Sequence, residues 1–127
     1  MRARFAATFS VAAVTTLLAA GAAAHHGASV VYDLNQSVDM TGTVTDYQFV
    51  NPHVLIFFEV TGEDGKAVVW SAGLTSPNRL ARSDRWSKDT LKPGDRVTIT
   101  GAPARGGAPS LWVAQVFADG QPLLGQH

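Results

Sequence analysis

Histidines carry the clearest chemical signal in this 127-residue sequence, which has four histidines and no cysteine. His25 and His26 are adjacent and directly follow a run of alanines. If the chain is cleaved after Ala24, His25 offers both its terminal amine and its imidazole to one ion, and His26 adds a further nitrogen. Nitrogen-rich tetragonal sites suit Cu(II) or Ni(II). The sequence therefore predicts a transition-metal site, with Cu(II) as the ion, and no other cofactor.

The set of metal ligands depends on the exact cleavage position and on whether His53 takes part. Cleavage one residue earlier would make Ala24 the first residue, and its amine, two backbone amides and the His26 imidazole could form a planar four-nitrogen set. His53 becomes a further ligand if the segment after the cleavage point folds back over the domain. Without a metal, His25 and His26 are only a mobile terminus, and His53 is a ring bonded to a backbone group.

Residues 1–24 have the three parts of a secretory signal. Arg2 and Arg4 provide the positive start, Phe5–Ala20 is an uncharged and mostly apolar run, and Ala22–Ala24 offers a small-residue cleavage site. The apolar run has 16 residues, fewer than the roughly 20 that a spanning helix needs. We therefore predict cleavage, a periplasmic or secreted protein, and no membrane span after processing. A retained membrane anchor is the alternative.

The composition of the remaining chain limits its class. The whole sequence has 10 Lys and Arg against 10 Asp and Glu, and losing Arg2 and Arg4 with the signal leaves 8 against 10, a net charge of −2. Such a weak negative balance gives no electrostatic reason to bind nucleic acid. Residues 25–127 suffice for one small domain, which must be stabilised by packing without disulfides. We predict that this domain is a monomer.

The elements that must position His53 are predicted to be mainly strands. Residues 28–39 are predicted to be an extended lead-in with turn-forming residues, and the tail 120–127 to be loose at its end. Alternation and composition predict strands at 40–50, 53–60 and 66–74, a strand after the Pro93-Gly94 turn, and a last strand that ends near Ala118. The segment 62–65 is a turn between two paired strands. Ser76 as a cap and Pro77 as a first helical residue predict a short helix over 76–85.

This order of elements predicts an all-β fold, a small five-stranded OB-like Greek-key barrel with one short helix between the third and fourth strands. A small open sandwich is the alternative. The inward face of the second strand is predicted to be Val54, Ile56, Phe58 and Val60, which puts His53 on the less buried face. Gly42, inside a long first strand, predicts a bulge or a sharp bend.

Other groups of residues have less specific chemistry. Arg79, Arg82 and Arg85 recur every three residues along the short helix, which is typical of a solvated face, although they could also dock an acidic partner. Trp86 and Trp112 could stack a sugar or a base, but aromatic residues in a small barrel are more often core. Trp70 is predicted to be core. No catalytic residue is predicted; the least favoured alternative is a hydrolase that uses His53 as a base.

Several short motifs occur in a fixed order along the chain, and together they resemble those of a known family. The motifs are Ala24-His25-His26, Asn51-Pro52-His53, Trp70, Ser76-Pro77-Asn78 and Leu91-Lys92-Pro93-Gly94-Asp95. In this order they are similar to the short exported bacterial proteins of the domain-of-unknown-function 6152 family. The resemblance implies export and a single domain, and it implies no activity.

Two functions of different class therefore follow from the sequence. The first is a metal-binding carrier or buffer outside the cytoplasm, which uses His25, His26 and His53. The alternative is a non-metal interaction module that binds an envelope protein or a glycan through one face of the barrel.

Overall fold

The computed structural model of the protein describes residues 23–124, with the side chains of the first helix described from Gly27 onward. The predicted signal segment, apart from Ala23 and Ala24, lies outside the described residues. The elements in chain order are α1 (Ala23–Val31), β1 (Val38–Gln48), β2 (Leu55–Thr61), β3 (Ala67–Gly73), α2 (Pro77–Asp84), β4 (Arg96–Pro103), β5 (Ser110–Ala118) and β6 (Gln121–Leu124).

Strands β1 to β5 form a closed barrel. β1 pairs antiparallel with β2 on one side and with β4 on the other, while β2 pairs with β3 and β4 pairs with β5. A short parallel pairing of Ser71–Gly73 in β3 with Ser110–Trp112 in β5 closes the sheet. Because α2 lies between β3 and β4, the OB-like barrel predicted from the sequence is confirmed.

The core confirms the predicted register of the second strand. Val54, Ile56 and Phe58 are completely buried, and Val60 at the end of β2 is partly buried. Val97 and Ile99 of β4 also point into this core. His53, which precedes the buried series by one residue, is exposed. Because side chains alternate between the two faces of a strand, burial of Val54, Ile56 and Phe58 directs the residues between them to the opposite face.

The first strand is long and is shared between two neighbours, but its irregularity is not where Gly42 predicts it. The register of β1 against β2 shifts between Val44 and Asp46. At Gly42, by contrast, β2 passes so close that an added Cβ would overlap the carbonyl oxygen of Glu59 and lie 3.0 Å from Cδ2 of Phe58. Gly42 therefore allows two backbones to approach each other, and the bulge, one of the two features that it predicts, lies instead between Val44 and Asp46.

The predicted extended lead-in is wrong over its first part, because α1 continues to Val31. Alanine has the highest helix propensity, and the alanines before His25 outweigh the β preference of the two valines at the end of the helix. The end of α1 is fixed to the barrel, since the amide of Arg105 donates to the carbonyl of Val31 at 2.9 Å. The predicted turn follows, where Asp33 accepts a hydrogen bond from the amide of Asn35.

The second helix forms as its capping signature predicts. Ser76 is the N-cap, and its hydroxyl accepts a hydrogen bond from the amide of Arg79. Pro77 occupies the first helical position, where its missing N–H costs nothing. Arg85 ends the helix in the left-handed conformation. Neither helix of the described residues is long and apolar enough to cross a bilayer.

The end of the tail, which is predicted to be loose, lies outside the described residues, but the tail begins with a strand that the sequence pattern does not predict. Residues Gln121–Leu124 form β6, which pairs antiparallel with β5 outside the closed barrel. The proline in this segment argues against a strand in the middle of a sheet, but it is tolerated on an edge strand.

Candidate functional site

A pocket of about 330 Å³ lies where α1 meets one end of the barrel. Its walls are mainly apolar, and the histidine ring is the group among them best suited to coordinate a metal. The lining residues are Gly27, Ala28, Tyr32, His53, Leu55, Gly73 and Trp112. The pocket therefore joins α1 to β2, β3 and β5, which are distant from one another in the sequence.

His53 is held in one orientation by a backbone carbonyl. It follows Asn51-Pro52 and directly precedes Val54, whose amide and carbonyl pair with Thr75 and Leu74. Its Nδ1 lies 3.1 Å from the carbonyl oxygen of Leu74. A carbonyl oxygen only accepts, so Nδ1 carries the proton of the neutral ring and Nε2 keeps its lone pair. Nε2 has no hydrogen-bond partner among the described residues.

Trp112 forms the other wall of the pocket and contacts His53 edge to face. The two ring centres are 5.5 Å apart and the ring planes are at 86°. Gly73 pairs with Trp112 across the closing strands, and a Cβ on Gly73 would lie 3.4 Å from the indole ring. The absence of a side chain on Gly73 therefore lets the indole lie against β3.

Tyr32 completes an aromatic group around the pocket. Its ring centre is 6.0 Å from that of Trp112, and its hydroxyl is 2.9 Å from Oγ of Ser110, which also accepts a hydrogen bond from Ser71. The interpretation of Trp112 as core misses its role here, because the ring is only partly buried and lines the pocket. The sequence has no signal that would bring Tyr32 and Trp112 together.

His25 and His26 lie in the first turn of α1, and their side chains fall outside the described part of the structure. Gly27, which directly follows His26, lines the same pocket as His53. The lead-in thus folds back over the barrel, as the prediction of a three-histidine site requires. Among the described side chains, no three His, Asp or Glu residues lie close enough to hold a metal ion.

The other residues that the sequence singles out are two tryptophans, which pack in or against the core, and three arginines, which are exposed. Trp86 is buried, and its indole donates to the carbonyl of Leu123 at 2.8 Å, so it is core and cannot stack a ligand. Trp70 is partly buried against the core. Arg79, Arg82 and Arg85 are exposed, which confirms the predicted solvated face of α2. None of the three lines the pocket that contains His53.

The fold and the site define a class: a small closed OB-type barrel with an aromatic pocket beneath an amino-terminal helix. Within this class the chain belongs to the family of unknown function DUF6152, whose sequence pattern matches residues 13–111. This match confirms the resemblance carried by the ordered motifs. No curated protein matches the chain in sequence.

Two solved structures are similar to this chain, and the similarity of the first supports the fold alone. The mitochondrial single-stranded DNA binding protein Rim1 from S. cerevisiae is similar with a TM-score of 0.50 and 8% identity, over 66% of this chain and 94% of that chain. The N-terminal domain of PriB from Thermoanaerobacter tencongensis has a TM-score of 0.46 and 17% identity, over 66% of this chain and 96% of that chain.

Proposed function

We propose that the processed protein is an exported copper carrier or buffer, which binds one Cu(II) through His25, His26 and His53. The observation that supports this most strongly is the state of the His53 ring. Its Nδ1 donates to the carbonyl of Leu74 and its Nε2 is left with a free lone pair. Metal-binding histidines almost always donate their other ring N–H in this way, which fixes the tautomer and the direction of the ring.

The position of α1 supplies the second support. Gly27 and His53 line one pocket, and the amino group of a chain cleaved after Ala24 is only two residues before Gly27. The first four N–H groups of a helix have no partner within the helix, so a metal at this end displaces no intrahelical hydrogen bond. A terminal amine with a pKa of about 8 loses its proton to a metal ion at little cost near neutral pH.

Export is part of this proposal, because only cleavage creates the free amine. The charged start, the apolar run and the alanines of residues 1–24 support it. The membrane-anchor alternative would leave His25 within a continuous chain and would remove the amine from the ligand set. The intact mass of the protein recovered from the periplasm or the medium identifies the first residue, and a mass that includes Arg2 would contradict this proposal.

The direct experiment is copper titration of the processed protein by calorimetry, with electron spin resonance of the bound Cu(II). We expect one site, and we expect Zn(II) to bind more weakly, as in the usual order of divalent metals. His53→Ala should weaken Cu(II) binding by about tenfold or more. His127→Ala is the matched control, since it removes the fourth histidine of the sequence and should leave both the affinity and the spectrum unchanged.

The contribution of the terminal amine to copper binding is tested by a separate control. One extra residue before the native first residue, or acetylation of the terminus, should weaken copper binding sharply while the barrel stays folded. Because the ligands must lose protons, affinity should also fall as the pH drops through about 6. The same spectrum and affinity with a blocked terminus would rule out this copper site. The non-metal interaction module would then be the better hypothesis.

A further inference from the structure

A second pocket, of about 320 Å³, adjoins the first and shares Ala28 and Trp112 with it. We call it the Arg79 groove. Its apolar lining includes Leu34, Leu74, Leu80, Val113 and Leu124. Leu74 and Leu80 belong to the buried core, whereas Leu34 is 50% exposed. The groove therefore has a rigid apolar floor and, at Leu34, an apolar wall in contact with water.

The rim of this groove carries one positive charge. Arg79 lies in the first turn of α2 and lines the groove. Its backbone amide is bonded to Ser76, but its guanidinium has no carboxylate partner among the described residues. The ion pairs there involve Lys92 with Asp95 and Arg105 with Asp33. Arg82 of α2 and Arg85 at its C-cap are exposed and do not line the groove.

We propose that the Arg79 groove binds a small organic acid with an apolar body, such as a medium-chain carboxylate. The apolar part would cover the exposed surface of Leu34 and Trp112, which the hydrophobic effect favours. The carboxylate would pair with the guanidinium of Arg79, whose planar fork matches a carboxylate. The volume lies at the low end of the range for small-molecule sites, which suits a ligand of this size.

This site is separate from the proposed copper site. Trp112 lies between the two pockets, with His53 lining one and Arg79 lining the other. A failure of copper binding would therefore leave the Arg79 groove untouched, and the reverse also holds. His53→Ala should leave both the apolar floor and the positive charge of the Arg79 groove unchanged.

The test uses sodium octanoate as the probe and octanol as its neutral counterpart. Binding is measured by calorimetry, and the position by nuclear magnetic resonance shifts of the Trp112 indole signal and of the Leu34 and Val113 methyl signals. Trp112 lines both pockets, whereas Leu34 and Val113 line the Arg79 groove and not the first pocket. We expect octanoate to bind more tightly than octanol and to move the Trp112 signal more than that of buried Trp86.

The decisive comparison is between two arginines of one helix. Arg79→Gln should weaken octanoate binding by roughly tenfold, which is the effect of losing one exposed charge-assisted contact, and should leave octanol binding unchanged. Arg82→Gln, also exposed, should change neither. The proposal is wrong if octanoate does not bind, if it binds equally well to the Arg79→Gln protein, or if the Trp112 signal does not move.

Discussion

The residue with the most specific environment is His53, whose ring is fixed from two sides. Val54, the residue directly after it, donates its amide to the carbonyl of Thr75 and accepts from the amide of Leu74, which continues the β2–β3 ladder beyond the strands themselves. The ring then donates to the Leu74 carbonyl and packs against Trp112. A ligand on a rigid element is positioned more accurately than one on a loop. This rigidity is why His53, although exposed, is a credible metal ligand.

Among the described residues, Tyr47 is the one whose ionisation is most affected by the fold. Burial raises the pKa of Tyr47 to about 12, while a hydrogen bond with Thr90 lowers that pKa by a smaller amount. The hydroxyl also donates to the carbonyl of Ser87 at 2.8 Å. The neutral phenol is therefore favoured in the folded protein more than in the unfolded chain.

The sign of the pH dependence follows from this raised pKa. Below about pH 10 both states keep the phenol proton, so the stabilising contribution is fully present. Between about pH 10 and 12 the unfolded chain loses that proton first, and the free energy of unfolding should fall. Ultraviolet absorbance titration of the phenolate should show one of the two tyrosines titrating late, and Tyr47→Phe should remove that transition. A late transition that persists in the Tyr47→Phe protein would contradict the assignment.

Among the elements, those with strong local patterns could be predicted from the sequence. β2 has buried residues at alternate positions, and α2 has a capping serine followed by proline, so each is specified by its own residues. α1 and β6 lack such signals. In α1 the helix preference of alanine competes with the strand preference of valine, and β6 contains a proline that usually marks a strand end. The end of α1 is bonded to Arg105, between β4 and β5, and β6 is paired with β5. No local pattern in the sequence reveals these contacts.

Gly42 gives a direct test of how closely β1 and β2 approach. Gly42→Ala would force its Cβ against the Glu59 carbonyl and the ring of Phe58. Both neighbours belong to a ladder or to the core, and neither can move freely. We expect a loss of at least about 2 kcal/mol in the free energy of unfolding, measured by urea denaturation.

Gly106→Ala is the matched control for Gly42→Ala. It makes the same chemical change, but an added Cβ at Gly106 meets nothing within 4 Å, and the residue is exposed. Gly106→Ala should change the free energy of unfolding by no more than about 1 kcal/mol. Any change should be an increase, because alanine restricts the unfolded chain more than glycine does. Equal effects of the two substitutions would mean that the two backbones do not approach as described.

At the scale of the whole molecule, the candidate site exists because the barrel closes. Ser71 and Ser110 are 39 residues apart and bond to each other at the closing pair of strands. The same closure brings Trp112 against Gly73 and His53. The sequence singled out His53 because its residue type and its neighbours are informative. It could not single out Trp112 and Tyr32 as a pair, since their proximity depends on tertiary structure.

β6 connects the end of the barrel to the segment after α2, and this connection can be measured. Trp86 donates from its indole to the carbonyl of Leu123 in β6 at 2.8 Å. Trp86→Phe keeps an aromatic ring in the core but removes this donor, and we expect it to cost about 1–2 kcal/mol of unfolding free energy. In a chain that ends at Gly120 the acceptor is already absent, so the same substitution should cost less. The difference, obtained by a double-mutant cycle in urea, should be about 1 kcal/mol.

Trp70→Phe provides the control for this cycle, because the Trp70 indole donates no hydrogen bond to any described residue. Trp70 is also only partly buried against the core, so its substitution should cost the same in the full and the shortened chain. A cycle in which the Trp86 and truncation effects simply add would show that β6 is held by its ladder to β5 alone. A coupling confined to Trp86 would show that the last strand, which the sequence pattern does not predict, stabilises the core through one buried indole.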